Sequence, residues 1–423
     1  MTDRPTIAYA GMTHLGLCST VAAASKGFST IGFAPDAGLI AALTAGTFPV
    51  VEPDLDALAT ANRARLTFTA DPAKLAAADI IYVAPDVPTD DAGGSDLTVL
   101  ESLLGLVLDQ ARPDAVVVVL SQVPPGFTRA RQRPGRHLFY QVETLIFGRA
   151  VERATQPERF ILGCADPAAP LPAPYAAFLQ AFGCPILPMR YESAELCKIA
   201  INCCLVASVS VANTLAELCE GIGADWSDIV PALKLDRRIG RYSYLAPGLG
   251  LAGGNLERDL ATVCRLSDHA GTDSGVVRSW IANSRYRKDW ALRTLHSEVL
   301  AVLPQPQLAV LGLAYKEDTH STKNSPSIAL LAHLAPFAVK VYDPVVPVSA
   351  APHPVTAAAS AVEACAGADA LLIMTPWREF RDLAPAAVAA AMRGRTVIDP
   401  YRVMDGATAR AAGLRHITLG VSD

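Results

Sequence analysis

The stretch TIAYAGMTHLGLCSTVAAASKGFSTIGFAPD, residues 6–36, constrains the fold more than any other. An apolar strand-like run ends at Gly11, an alanine-rich helical run starts two or three residues later, and a second strand-like run follows at once. Strand, glycine-marked turn, helix and strand form a βαβ unit, and such a unit builds a parallel sheet with helices on its faces. Further apolar runs at DIIYVAP and AVVVVLSQVPPG extend the same alternation.

From about Glu192 to Leu303 the strand signals stop. Apolar residues recur at helical spacing through ESAELCKIAINCC and WIANSRYRKDWALRTLHSEVL. After the break LPQPQ, strands return at LAVLGLAY, VKVYDP, ADALLIMTP and RTVIDP, and the runs PVTAAASAVEACAGADA and APAAVAAAMRG are expected to be helices because alanine is the best helix former. The expected fold is α/β, with two Rossmann-like domains joined by a long central helix and a helical middle domain. Its parts are residues 1–190, 191–303 and 304–423.

With 51% hydrophobic and 18% charged residues the chain is globular, and a net charge of −5 gives no basic face for nucleic acid. The polar start, MTDRPT, lacks the apolar core of a secretory signal, so a cytoplasmic protein is expected. Nine scattered cysteines without a CxxC pair are expected to be free thiols, with no metal site. The uncharged run between Lys198 and Glu217 reaches the length of a membrane span. Asn202, Ser208, Ser210, Asn213 and Thr214 interrupt it, and the reading is a soluble helix at the protein centre or at a homodimer interface, not a membrane segment.

Several motifs bear on chemistry. AGMTHLG carries Gly11, Thr13 and Gly16 at the spacing of a dinucleotide-binding turn, with Thr13 where the middle glycine admits a diphosphate. The second strand ends GFAPD, so Ala34 stands where an acid grips the ribose hydroxyls and Asp36 lies two residues on. EPDL, VPTDDAGGSDL, SQVPPGFT, AELCKIAIN, DRRIG, GLGLAGGNLERD and GLAYKEDTHSTKNSP follow in that order. In AELCKIAIN, Lys198 and Asn202 are spaced to share a helix face, where an ammonium and an amide stabilise a developing oxyanion.

In motif order and spacing the chain resembles the UDP-glucose/GDP-mannose dehydrogenase family, nearest the UDP-glucose type. The resemblance implies NAD as cofactor and a nucleotide sugar, UDP-linked, as small-molecule partner. The family oxidises the sugar C6 alcohol to a carboxylate by two hydride transfers, through an aldehyde held on a cysteine. It further implies catalytic roles for Glu143, Lys198, Asn202 and Asp259, and puts Asn255 at the cysteine position. Ile146 and Phe147 stand where a basic and a second acidic residue accompany Glu143. Arg238, Tyr244, Gly248, Gly250, Tyr315 and Lys316 match sugar-nucleotide contacts. Gly11, Thr13, Gly16, Asp36, Val87, Gln122 and Lys323 fall at cofactor positions; Thr13, together with Ala34 in place of the ribose-binding acid, weighs against NAD binding, and Val87 and Gln122 replace threonines.

An amide cannot form the thiohemiacetal from which the second hydride leaves. On helical geometry Cys197, Cys203 and Cys204 point away from Lys198 and Asn202 and are expected to be packing residues. The expected activity is therefore an atypical NAD-dependent nucleotide-sugar oxidoreductase unable to complete the thioester route. The alternatives are a redox-neutral UDP-sugar epimerase that retains NAD and an inactive sugar-nucleotide-binding homologue.

Overall fold

The computed structural model describes residues 4–90 and 93–422; Asp91 and Ala92, within the VPTDDAGGSDL motif, lie outside the described residues. The chain divides into two compact units, residues 1–201 and 202–423.

The first unit is built on eight strands: β1 (Ile7–Ala10), β2 (Thr30–Phe33), β3 (Leu66–Thr69), β4 (Ile80–Val83), β5 (Val116–Val119), β6 (His137–Gln141), β7 (Phe160–Cys164) and β8 (Ile186–Arg190). Their spatial order is β3-β2-β1-β4-β5-β6-β7-β8. All neighbours run parallel except β6 and β7. Strands β4 (IIYV) and β5 (VVVV) are buried at every residue, as central parallel strands covered on both faces must be. Two apolar cores lie on the two sides of this sheet, one around Leu17, Val21 and Leu43, the other around Leu104, Val107 and Tyr191.

The order reverses between β1 and β4, the crevice where doubly wound sheets receive ligands. There the register pairs Ala10 with Val83, which sets the residues just past each strand, Gly11 and Pro85, side by side.

The second unit holds a six-stranded parallel sheet of β9 (Gln307–Leu311), β10 (Ala338–Tyr342), β11 (Thr356–Ala357), β12 (Ala370–Ile373), β13 (Thr396–Ile398) and β14 (Arg415–Ile417), in the order β11-β10-β9-β12-β13-β14. Between residues 202 and 303 this unit is mainly helical, including Trp226–Leu235, Asn255–Ala270 and Gly275–Lys288, with irregular backbone over 236–254. The alanine-rich run at 354–370 is not one helix. Thr356 and Ala357 pair with Lys340 and Val341 as an edge strand, and only Ala361–Cys365 is helical, started by the Ser360 side chain accepting from the Glu363 N–H. Edge pairing and a cap thus override alanine's helix preference.

A 32-residue helix, Tyr191–Ile222, ends the first unit and begins the second. By length and composition it could cross a membrane, and about a third of its apolar window is buried. Its buried polar groups have protein partners within their own units. Glu195 accepts from the N–H groups of Gly126 (2.6 Å) and Thr128 (2.9 Å), and Asn213 accepts from the Gly248 N–H at 2.8 Å. Burial raises the Glu195 carboxyl above its usual range, with those two donors acting the other way.

Candidate functional site

Within the first unit, β6 leads through Val142 to Glu143, whose carboxylate lies 3.2 Å from the Lys198 ammonium and accepts the Leu145 N–H. Glu143 also lines a small cavity, about 60 Å³, together with Tyr9, Tyr82, Gln141, Arg153 and Arg159. Both partners of the ion pair are largely shielded from solvent, so each holds the other's charge in place.

One helical turn beyond Lys198 comes Asn202, in the second unit. It is 8% exposed and donates to the carboxylate of Asp259 at 2.5 Å. Asp259, 1% exposed, also accepts from Arg258 at 3.3 Å. Asp259 sits on helix Asn255–Ala270, whose first residue is the exposed Asn255, one turn before it on the same face.

The loop leading into that helix is tightly set. Gly250 has φ +75°, and a Cβ there would meet the Ser284 carbonyl at 2.4 Å. Gly253 (φ +77°) lies under the Tyr315 ring, its N–H donates to the Lys323 carbonyl at 3.0 Å, and its carbonyl accepts from Asn324 at 2.8 Å. Glu257, in the first turn, accepts from Lys288 at 2.8 Å and from Asn324. Lys316 lies 5.8 Å from the Tyr315 ring centre.

The second unit thus gathers Asn255, Gly250, Tyr315 and Lys323 around one loop. The other expected sugar contacts are placed differently. Tyr244 is exposed, Gly248 gives its N–H to Asn213, and Arg238 lies exposed on a turn, bonded to Asp236 at 2.6 Å.

Three cysteines, Cys197, Cys203 and Cys204, flank Lys198 and Asn202 along the chain. Cys197 packs in the first unit's core, and Cys203 packs beside Cys264 and Leu260 in the second. Burial, with the Asp259 charge adding to it, pushes the Cys203 thiol up to about 11. Cys204 departs from the expected packing role and is exposed. Among the described residues no group of His, Cys, Asp and Glu could hold a metal ion.

At the first unit's crevice the turn glycines are required by contact. Gly11 has φ +103°, with a Cβ there meeting the Pro85 nitrogen at 2.7 Å, and a Cβ on Gly16 would meet the Gly11 carbonyl at 1.8 Å. Thr13 precedes helix His14–Ser25 without capping it by its side chain, and its hydroxyl instead accepts the Asp86 N–H at 2.8 Å. The His14 N–H, which opens the helix, donates to the Asp86 carboxylate at 3.0 Å. The His14 ring lies 2.7 Å from buried Glu52 and packs at a tilt against Phe147, ring centres 4.2 Å apart. Glu52 also accepts the N–H groups of Gly148 and Ala150.

A dinucleotide would seat its diphosphate at this helix N-terminus. In this chain the first N–H of that helix is engaged by the Asp86 carboxylate.

The ribose end differs too. Ala34 is buried, and the Asp36 carboxylate is taken up capping helix Ala37–Ala45, accepting from Gly38 (2.8 Å) and Leu39 (3.0 Å). Val87 packs against the apolar core, and Gln122 is half-buried just after β5. Asp86, His14 and Glu52 were not singled out from sequence. The available signal was an acid three residues beyond an all-apolar strand, and the register of that strand beside β1 gives it meaning.

Comparison with known proteins matches this architecture along the chain. Family models for the UDP-glucose/GDP-mannose dehydrogenases match as an NAD binding domain over residues 5–172, a central domain over 192–285 and a UDP binding domain over 309–406. The UDP-glucose 6-dehydrogenase of Pseudomonas aeruginosa is 30% identical over 97% of this chain and 96% of that protein. The UDP-glucose 6-dehydrogenase TuaD of Bacillus subtilis is 29% identical over 98% and 93%. Among solved structures, a UDP-glucose dehydrogenase from Pyrobaculum islandicum superposes with a TM-score of 0.87 at 25% identity, covering 100% of this chain and 99% of that one. A UDP-D-ManNAc dehydrogenase from Pyrococcus horikoshii shares the fold, with a TM-score of 0.83 at 23% identity over 98% and 99%. With an NAD-binding-type unit, a central helical part and a UDP-binding-type domain in sequence, the chain belongs to the UDP-glucose/GDP-mannose dehydrogenase family.

Proposed function

We propose that this chain binds a UDP-linked sugar and does not carry it through to the uronic acid by the thioester route. The observation that supports this is the buried hydrogen bond between Asn202 and Asp259, one helical turn from Asn255. It retains a polar pair at the position of the family's chemistry beside an amide in place of the nucleophile. An amide neither adds to an aldehyde as a thiolate does nor leaves from an acyl intermediate. Arg238, Tyr244, Gly248, Gly250, Tyr315 and Lys316 are the proposed contacts to the sugar nucleotide.

A second reading is favoured by the survival of both bonded pairs, Lys198 with Glu143 and Asn202 with Asp259. In it the chain performs a two-electron or redox-neutral reaction with NAD. Lys198 and Asn202 stabilise charge on a sugar oxygen, and Glu143 or Asp259 moves its proton. Gly11, Thr13, Gly16, Asp36, Val87, Gln122 and Lys323 form the corresponding cofactor positions. A cytoplasmic homodimer is the proposed setting, with residues 1–190, 191–303 and 304–423 as cofactor, dimerisation and nucleotide parts.

Calorimetry with UDP, UDP-glucose and GDP-mannose, followed by incubation with UDP-glucose and NAD, tests these readings. The first expects binding of the UDP ligands with no uronate and no NADH. One NADH per sugar, or an isomerised sugar without net NADH, selects the second. Uronate with two NADH per sugar overturns both, as does the absence of UDP-ligand binding.

A further inference from the structure

We propose that Asp86 acts as an internal anion in the diphosphate seat of the first unit and is the residue that sets this chain's affinity for nicotinamide dinucleotides. The placement follows from sheet register. Strands β1 and β4 are paired through Ala10 and Val83, at the reversal of strand order. The segment Ala84-Pro85-Asp86 therefore passes directly over the turn Gly11–Thr13, and the Ala84 N–H is fixed to the Ala10 carbonyl at 2.8 Å. Ser121 holds the Pro85 carbonyl from the other side at 2.5 Å.

Two hydrogen bonds tie Asp86 to the helix start in opposite senses. Its own N–H goes to the Thr13 hydroxyl, and its carboxylate takes the His14 N–H. A helix N-terminus attracts negative charge through its unsatisfied N–H groups and the helix dipole. Here a side chain supplies that charge. An incoming diphosphate would have to displace the carboxylate and then lie beside it, like charge against like.

Thr13 is part of the same arrangement. Its side chain fills the place where a glycine lets phosphate oxygens reach the backbone, and its hydroxyl anchors the Asp86 main chain. At the adenosine side, buried Ala34 offers no acceptor for ribose hydroxyls, and Asp36 is committed to its helix cap. Burial raises the Asp86 carboxyl above its usual range, while the charge of the neighbouring His14, itself paired with Glu52, and the hydrogen bonds from Thr13 and the helix start act the other way and favour the anion.

NADH titration of the full chain, followed by fluorescence or calorimetry, tests the proposal on wild type, Asp86→Ala and Asp86→Asn. Thermal melting of each verifies folding, and the neutral, same-size Asp86→Asn serves if the alanine variant does not fold. The expected result is weak wild-type binding and a gain of at least tenfold, about 1.4 kcal/mol, on removing the charge. An unchanged or weakened affinity in the folded variants overturns it, and so does micromolar binding by wild type. The readout uses the dinucleotide alone, so its failure leaves UDP-sugar binding untouched, and the reverse holds as well.

Discussion

Asn255 occupies the first position of a 16-residue helix, where the unsatisfied N–H groups lower the pKa of any thiol placed there. Cys203 is in the opposite condition: apolar packing and the Asp259 carboxylate both oppose its ionisation. The thiolate is the reactive form, so a raised pKa means little reaction at neutral pH and an increasing rate only as the pH climbs towards about 11. Asn255→Cys should therefore be alkylated by iodoacetamide at pH 7 at least tenfold faster than Cys203, as read by mass spectrometry of the two peptides. Equal rates would show that the head of this helix does not activate a thiol.

Among the elements, the turn between β1 and the helix His14–Ser25 is the most tightly specified. A methyl group on Gly16 would overlap the Gly11 carbonyl, and no flexible side chain stands there to yield. Gly16→Ala is expected to destabilise the chain by about 3 kcal/mol or more, read as a loss in denaturant midpoint. Strands and helices of this kind were legible in the sequence because their signals are local: continuous Val and Ile runs at β4 and β5, glycine at the turn, helical periodicity after Glu192. Thr356–Ala357 was not, since two residues become a strand only when Lys340 and Val341 are there to pair with them. The site divides in the same way. Lys198 and Asn202 share a helix face by spacing alone, whereas their links to Glu143 and Asp259 span 55 and 57 positions. Asp86 reaches Thr13 across 73, a distance that only strand order and register close.

Over the whole molecule, the long helix Tyr191–Ile222 presents Val211, Leu215, Leu218 and Ile222, between 40% and 64% exposed, at spacings of four, three and four residues. That is one apolar stripe on a helix face, and a stripe of this kind calls for a partner surface. In the proposed homodimer it is the contact, so Leu215→Glu combined with Leu218→Glu should shift the mass measured by light scattering after gel filtration from dimer to monomer. A monomeric wild type would remove this assignment. The molecule also bears on how its own beginning should be interpreted. Gly11 and Gly16 are held by the crossing of chain segments at Pro85 and by the close start of a helix, constraints that exist whether or not a nucleotide ever arrives. Selection for folding alone would preserve them, so a glycine motif can outlive its ligand, and the residue that tells the two histories apart stands on the neighbouring strand's loop.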